Sequence, residues 1–177
     1  MQLYNTIMSL RIIVVCLIIL GCSKPTNQQQ QTKPELAQDD DQVNITHSIG
    51  EVLDPDAKSI VSSWDEYQKV EELIREFYNI STDQALQKSS ALADATQQLR
   101  DSVRVDRFKE PDLQMRLNVM NNIALRINDM NSIAQINPRE ISEEVGNLMQ
   151  LFSSINRRLN NIVRQEALEK ELTPFNK

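Results

Sequence analysis

Thiol and imidazole side chains are scarce in this sequence. It contains two cysteines, Cys16 and Cys22, and one histidine, His47, which lies in a polar segment. One histidine cannot supply the paired Glu-x-x-His motifs of a di-iron helical bundle, and no Cys-x-x-Cys-His motif for covalent haem or Gly-rich phosphate loop is present. Neither Ser-His-Asp nor Cys-His catalysis is expected with so few partners. The sequence therefore predicts no catalytic residue, no metal site and no cofactor, and we expect a protein that is not an enzyme.

Cys22 closes a short apolar segment. Residues 12–21 are uncharged, Arg11 precedes them, and Lys24 follows soon after the cysteine. A membrane-spanning helix needs about 20 apolar residues, so this segment is too short to cross a bilayer. Leu20-Gly21-Cys22 also matches poorly the small-x-small cleavage site of an ordinary secretory signal peptide. The segment resembles the signal peptide of bacterial lipoproteins, with translation starting at Met1 or at Met8.

The lipoprotein resemblance implies how the protein is held in the cell. In that family a peptidase cleaves before the cysteine, and the thiol carries a diacylglycerol. Residues 1–21 would then be the signal peptide, and Cys22 would be the lipidation site of a protein anchored to the inner or outer membrane of the cell envelope, with a periplasmic domain. Cleavage would also remove Cys16 and leave no thiol for an internal disulfide, so stability would depend on packing.

The segment that follows Cys22 is polar and acidic. It contains Asn-Gln-Gln-Gln-Gln at 27–31, two prolines, and three aspartates at 39–41. Such a composition buries little apolar surface, so residues 22–52 are predicted to be a disordered tether. The net charge of −6 argues against a nucleic-acid partner, which would require a basic surface.

Residues 53–177 are predicted to form one helical domain. Proline, N-cap residues and apolar side chains at three-to-four spacing mark four helices. Their predicted ranges are about 55–79, 81–103, 111–134 and 138–172. Short links near Ile80 and Gln135 favour antiparallel neighbours, so the predicted fold is all-α, an up-down-up-down four-helix bundle. The apolar stripe of the last helix could equally form an intermolecular coiled coil, so the oligomeric state stays open.

Four polar residues of the third predicted helix fall on one side: Asn118, Asn122, Arg126 and Asp129. They lie opposite the apolar side chains that begin with Leu113 and Leu117. Asparagine and aspartate have modest helix propensity, so a solvated face would more readily use Glu, Lys or Gln. We expect this side to be a contact face for a protein partner in the envelope; the alternative is a solvated face.

Several motifs of the helical region are similar to those of uncharacterised helical lipoproteins of Bacteroidota. They include Trp64-Asp-Glu-Tyr67, Arg100-Asp-Ser102 and Phe152-Ser-Ser-Ile-Asn156. The resemblance implies no particular activity. We expect a lipid-anchored protein-interaction or structural module. The alternative is a carrier or sensor of a small apolar ligand, which a cavity lined by Trp64, Tyr67 and Phe152 would favour.

Overall fold

The computed structural model describes residues 44–48, 50–103 and 105–172. The predicted signal peptide, Cys22 and the tether up to residue 43 lie outside the described residues. The described part contains two short strands, a 3-10 helix at Asp106–Phe108 and five α-helices. The elements are β1 Asn44–Thr46, α1 Pro55–Val61, α2 Asp65–Phe77, β2 Asn79–Ser81, α3 Thr82–Asp101, α4 Pro111–Met130 and α5 Pro138–Leu172. The predicted all-α class is confirmed, with the addition of a two-stranded sheet.

The first predicted helix is two helices, α1 and α2, so the prediction of one helix over 55–79 was wrong. The Ser62 hydroxyl donates to the carbonyl of Ser59 at 2.6 Å, and the Ser63 hydroxyl donates to the carbonyl of Ile60 at 3.2 Å. Serine side chains that bond to nearby carbonyls compete with helical backbone bonds. Trp64 then leaves the helical region, at φ −106° and ψ 85°, and α2 begins after it.

The other predicted helix starts are correct. Ser81 and Gln84 form a capping box, with Gln84 N 3.3 Å from Ser81 Oγ and Ser81 N 3.2 Å from Gln84 Oε1. This reciprocal pair satisfies two amides at the start of α3. α4 and α5 begin at Pro111 and Pro138, where proline's missing N–H costs nothing.

The end of α4 lies four residues before the predicted position. Ser132 N donates to the carbonyl of Asp129 at 3.0 Å, and Ile133 N donates to the carbonyl of Met130 at 3.1 Å. These i→i−3 bonds tighten the chain out of the α-helix. The helix therefore stops at Met130, and a turn leads to α5.

The small sheet includes residues of the predicted tether, 22–52. β1 pairs antiparallel with β2, and Ile45 lies opposite Ile80. The exposed fractions of these two side chains are only 2% and 4%. An apolar residue between two polar ones suits a strand with one buried face. Residues 44–46 are therefore paired with the strand that links α2 and α3.

The core lies between α2, α3, α4 and α5. α5 contributes the longest apolar stripe, and every predicted member of it is buried: Ile141, Val145, Leu148, Phe152, Ile155, Leu159 and Ile162. α4 packs against both α3 and α5, which leaves one side of it free for other contacts. In the described ranges no helix combines the length and hydropathy that a membrane crossing requires.

Candidate interaction surface

The four polar residues predicted to form a contact face are exposed on one side of α4. Asn118, Asn122, Arg126 and Asp129 all lie in contact with solvent. The apolar residues of the same helix are buried: Leu113, Leu117, Met120, Ile123, Ala124 and Ile127. The sequence-based assignment of the helix phase is therefore correct, while the role of the face stays a prediction.

Apolar side chains are interleaved with these polar residues. Met115, Val119 and Leu125 are exposed by 57%, 43% and 40%. The α4 face is defined here as these three residues together with Asn118, Asn122, Arg126 and Asp129. Their spacing of three and four residues places them along one side of the helix. Sequence reasoning missed Met115 and assigned Val119 to the flank of the core, because burial depends on neighbouring helices.

A groove of about 360 Å³ lies beside the α4 face, between α4 and α5. Its lining residues are Val119, Ile123, Arg126, Asn147, Gln150, Leu151 and Ser154. Apolar side chains from both helices and polar groups thus meet in one depression. Such a mixture suits the insertion of an apolar side chain from a protein partner.

Arg126 already holds a carboxylate within the molecule. Its Nε and Nη2 atoms lie 3.1 and 2.8 Å from the two carboxylate oxygens of Glu144 on α5. An arginine at this position can bind the carboxylate of a partner, but in the structure Arg126 forms a bidentate pair with Glu144 between α4 and α5. Such exposed pairs contribute about 0–1 kcal/mol, so a partner could still compete for Arg126.

Two other amides of α4, on Asn121 and Asn128, have hydrogen-bond partners on α3. Asn121 is 2% exposed, and the Thr96 hydroxyl donates to its Oδ1 at 3.3 Å. The Ser89 hydroxyl donates to Asn128 Oδ1 at 3.1 Å. These inward amides have partners within the fold. The outward amides, Asn118 and Asn122, are the ones that the fold leaves exposed.

Asn156 on α5 is a buried amide with two partners. The Tyr67 hydroxyl donates to its Oδ1 at 2.6 Å, and its Nδ2 donates to the carbonyl of Glu51 at 2.8 Å. Burial raises the pKa of Tyr67, with a smaller contribution from the carboxylate of Glu71, so the hydroxyl stays protonated as a donor. Asn156 borders the apolar stripe of the last predicted helix, so the sequence leaves open whether it is buried or lies at the rim of the core. The structure shows that it is buried.

Tyr67→Phe should lower the free energy of unfolding by about 1–3 kcal/mol, because it leaves a buried amide oxygen without its donor. Urea denaturation followed by circular dichroism would measure the change. Asn122→Ala, at an exposed position, is the control and should change stability by less than about 0.5 kcal/mol. Equal stability of Tyr67→Phe and the native chain would mean that this hydrogen bond contributes nothing.

Three aromatic rings occupy the space where an apolar ligand was considered. The ring centroids of Tyr67 and Phe152 lie 5.8 Å apart, those of Trp64 and Tyr67 6.0 Å, and those of Trp64 and Phe108 5.9 Å. The indole N–H of Trp64 donates to the Ser102 hydroxyl at 2.9 Å. Direct contact between these rings fills the region with side chains.

The predicted length of the last helix, about 138–172, favours a charged end that projects from the domain. In the structure this end is partly paired with the rest of the domain. Arg164 Nη2 lies 2.9 Å from Asp54 Oδ2, and Glu166 Oε2 lies 2.5 Å from Arg107 Nη1. Beyond these pairs Leu168 and Leu172 are 53% and 61% exposed. The last turn of α5 is therefore the part that extends from the domain.

Within the described ranges, no three side chains of His, Cys, Asp and Glu are grouped as metal ligands would be. His47, expected to be solvated, is half-buried beside Gly146, and its backbone N–H donates to the carbonyl of Tyr78 at 3.0 Å. Comparison of the chain with protein-family models, curated proteins and solved structures finds no match.

Proposed function

We propose that this chain is a lipid-anchored protein of the cell envelope whose helical domain is a protein-interaction module, with the α4 face as its contact surface. The observation that carries this proposal is the exposure, on one helix face, of two asparagines between three large apolar side chains. Lipidation of Cys22 would hold the domain at the membrane. The partner would be another envelope protein.

The composition of the α4 face supports a partner more than bulk solvent. Isolated exposed apolar residues are common on proteins, but Met115, Val119 and Leu125 follow one another along one side of the helix. Methionine and arginine are enriched at protein interfaces, whereas lysine and glutamate are depleted there. The α4 face contains neither lysine nor glutamate.

The polar groups of the α4 face indicate what a partner would offer. Each asparagine amide presents two donors and an acceptor, so Asn118 and Asn122 can bind backbone or side-chain groups of either kind. The groove at Val119 and Leu151 would take an apolar side chain. A partner carboxylate could share Arg126 with Glu144. We therefore expect a partner surface with an apolar side chain next to polar groups.

We further propose that α2, α3, α4 and α5 form an up-down-up-down bundle. Extensive packing between α2 and α3, α3 and α4, and α4 and α5 supports this order. The short connections, β2 between α2 and α3 and the turn after Met130, also favour antiparallel neighbours. In such a bundle α4 would be flanked by α3 and α5 and would present its third side outward.

The carrier or sensor of an apolar ligand is the weaker alternative. It requires a cavity between the helices, and the neighbouring rings of Trp64, Tyr67 and Phe152 occupy the region that would supply one. A ligand would have to displace side chains that are at most 4% exposed. The geometry therefore favours interaction through the surface.

Replacing Asn118, Asn122, Arg126 and Asp129 together by alanine should remove partner binding and leave the fold intact. These side chains are exposed, so thermal stability should stay close to that of the native chain. Crosslinking on intact membranes followed by affinity recovery would measure binding. We expect at least about a tenfold loss of the crosslinked species, equivalent to about 1.4 kcal/mol.

The matched control is a set of four alanine substitutions on α3, at Gln87, Ser90, Asp94 and Gln98, which are also exposed. This control should retain the crosslinked species. Equal recovery with both variants would refute the α4 face as the contact surface. It would direct attention to Leu168 and Leu172 at the end of α5.

A further inference from the structure

Side chains of α5 hydrogen-bond the backbone of a non-helical segment that lies more than a hundred residues earlier in the chain. This segment, Gly50–Asp54, is called the strap. Glu51 N donates to Ser153 Oγ at 2.8 Å, and Asn156 Nδ2 donates to the carbonyl of Glu51 at 2.8 Å. One residue of the strap thus has both of its backbone groups bound by α5.

Asn160 binds the next part of the strap through both ends of its amide. Its Nδ2 donates to the carbonyl of Val52 at 2.9 Å, and its Oδ1 accepts from Asp54 N at 2.9 Å. Asn156 and Asn160 are each 2% exposed, and Tyr67 fixes the orientation of the Asn156 amide. These two asparagines therefore form a built site that binds polypeptide backbone.

Two features of this site select the sequence of its ligand. A Cβ atom added at Gly50 would lie 2.5 Å from Ser153 Oγ and 2.6 Å from Ser153 Cβ, so the position requires glycine. Arg164 Nη2 lies 2.9 Å from Asp54 Oδ2, so an acidic residue is favoured four positions later. The Val52 side chain is 63% exposed, so the site does not select for a particular side chain at this position.

We infer that α5 carries a binding site for a non-helical peptide with glycine four residues before aspartate, and that the strap is its built-in ligand. This site uses residues of α5 that the α4 face does not include. Gly50, Glu51 and Val52 are exposed, and Leu53 is the strap residue that packs, partly buried, against the core. Segments with few buried contacts open at a lower free-energy cost than the core. The strap can therefore leave the site while α2–α5 stay folded, and a peptide of the same chemistry can take its place.

The test uses the full-length chain and a labelled peptide with the sequence of residues 47–54. In the native chain the strap competes at the millimolar effective concentration of a short tether, so binding should be weak. Gly50→Val should displace the strap by its clash with Ser153 and increase peptide affinity at least about tenfold. Fluorescence anisotropy would measure this change. A peptide with valine in place of its glycine should not show this increase in affinity for the Gly50→Val chain.

Asn160→Asp in the Gly50→Val background is the variant that tests the site itself. Aspartate keeps an acceptor for the peptide N–H but cannot donate to the carbonyl, so the gain in affinity should disappear. Unchanged affinity in this double variant would overturn the assignment of the site to Asn160.

Amide hydrogen exchange separates an open strap from a misfolded domain. In the native chain the amides of Glu51 and Asp54 should exchange at least about a hundredfold faster than those of Leu148 and Ile155. In Gly50→Val only the strap amides should lose protection. Strap amides that exchange no faster than the core in the native chain would overturn the proposal, as would an open strap in Gly50→Val without peptide binding.

Discussion

Phe152→Ala should lower the free energy of unfolding by about 3–5 kcal/mol, which is the usual cost of removing a buried phenylalanine ring. Phe152 is 4% exposed and its ring stacks on Tyr67 at 5.8 Å. The truncation removes apolar burial and the ring contact together, and it leaves a cavity next to the Tyr67–Asn156 hydrogen bond. A domain of ordinary stability has only about 5–15 kcal/mol in total, so the variant should lose a large fraction of its stability.

Leu148→Ala should have a similar effect, about 2–5 kcal/mol, because Leu148 is fully buried one turn earlier on α5. Asn118→Ala is the matched control on the exposed side of α4 and should stay within about 0.5 kcal/mol of the native chain. Urea denaturation monitored by circular dichroism would give all three values. Comparable losses at Phe152, Leu148 and Asn118 would contradict the burial pattern of α4 and α5.

Cys22→Ser should abolish both cleavage before residue 22 and attachment of the lipid. Serine has no thiol, so no thioether to diacylglycerol can form. The expected product is a precursor that retains residues 1–21. Intact-mass measurement of protein purified from membranes would detect the missing acyl mass and the retained segment.

Cys16→Ser is the control for this experiment, because Cys16 lies within the predicted signal peptide and would not be the lipidated residue. It should be cleaved and acylated like the native chain. Cleavage of Cys22→Ser at the same bond, or a native protein without acyl mass, would refute the lipoprotein prediction. The domain fold would be unaffected by that outcome.

Local sequence signals were sufficient to predict most helix boundaries. The capping box at Ser81 and Gln84 and the prolines at 111 and 138 depend on contacts within one helical turn. The apolar stripes of α4 and α5 likewise follow from the 3.6-residue period, which decides the side that is buried. For this reason the exposed side with Asn118 and Asn122 could also be predicted.

The features that could not be predicted depend on residues far apart in the sequence. The break at Ser62–Trp64 places the Trp64 ring next to Phe108 and its indole N–H within hydrogen-bond distance of the Ser102 hydroxyl. β1 forms by pairing with β2, where Ile45 lies opposite Ile80. The periodicity of apolar residues and the amino-acid composition do not predict such pairings between distant residues.

The sequence by itself determined an all-α domain, the side of each long helix that faces the core, and the scarcity of catalytic side chains. Only the tertiary structure decided which polar groups have partners. The sequence leaves the burial of Asn156 open and does not single out Asn160, but packing brings both to the backbone of Glu51 and Val52. The physical reason is that a buried amide must find a hydrogen-bond partner, and the partner's identity depends on the three-dimensional approach of segments that lie about a hundred residues apart.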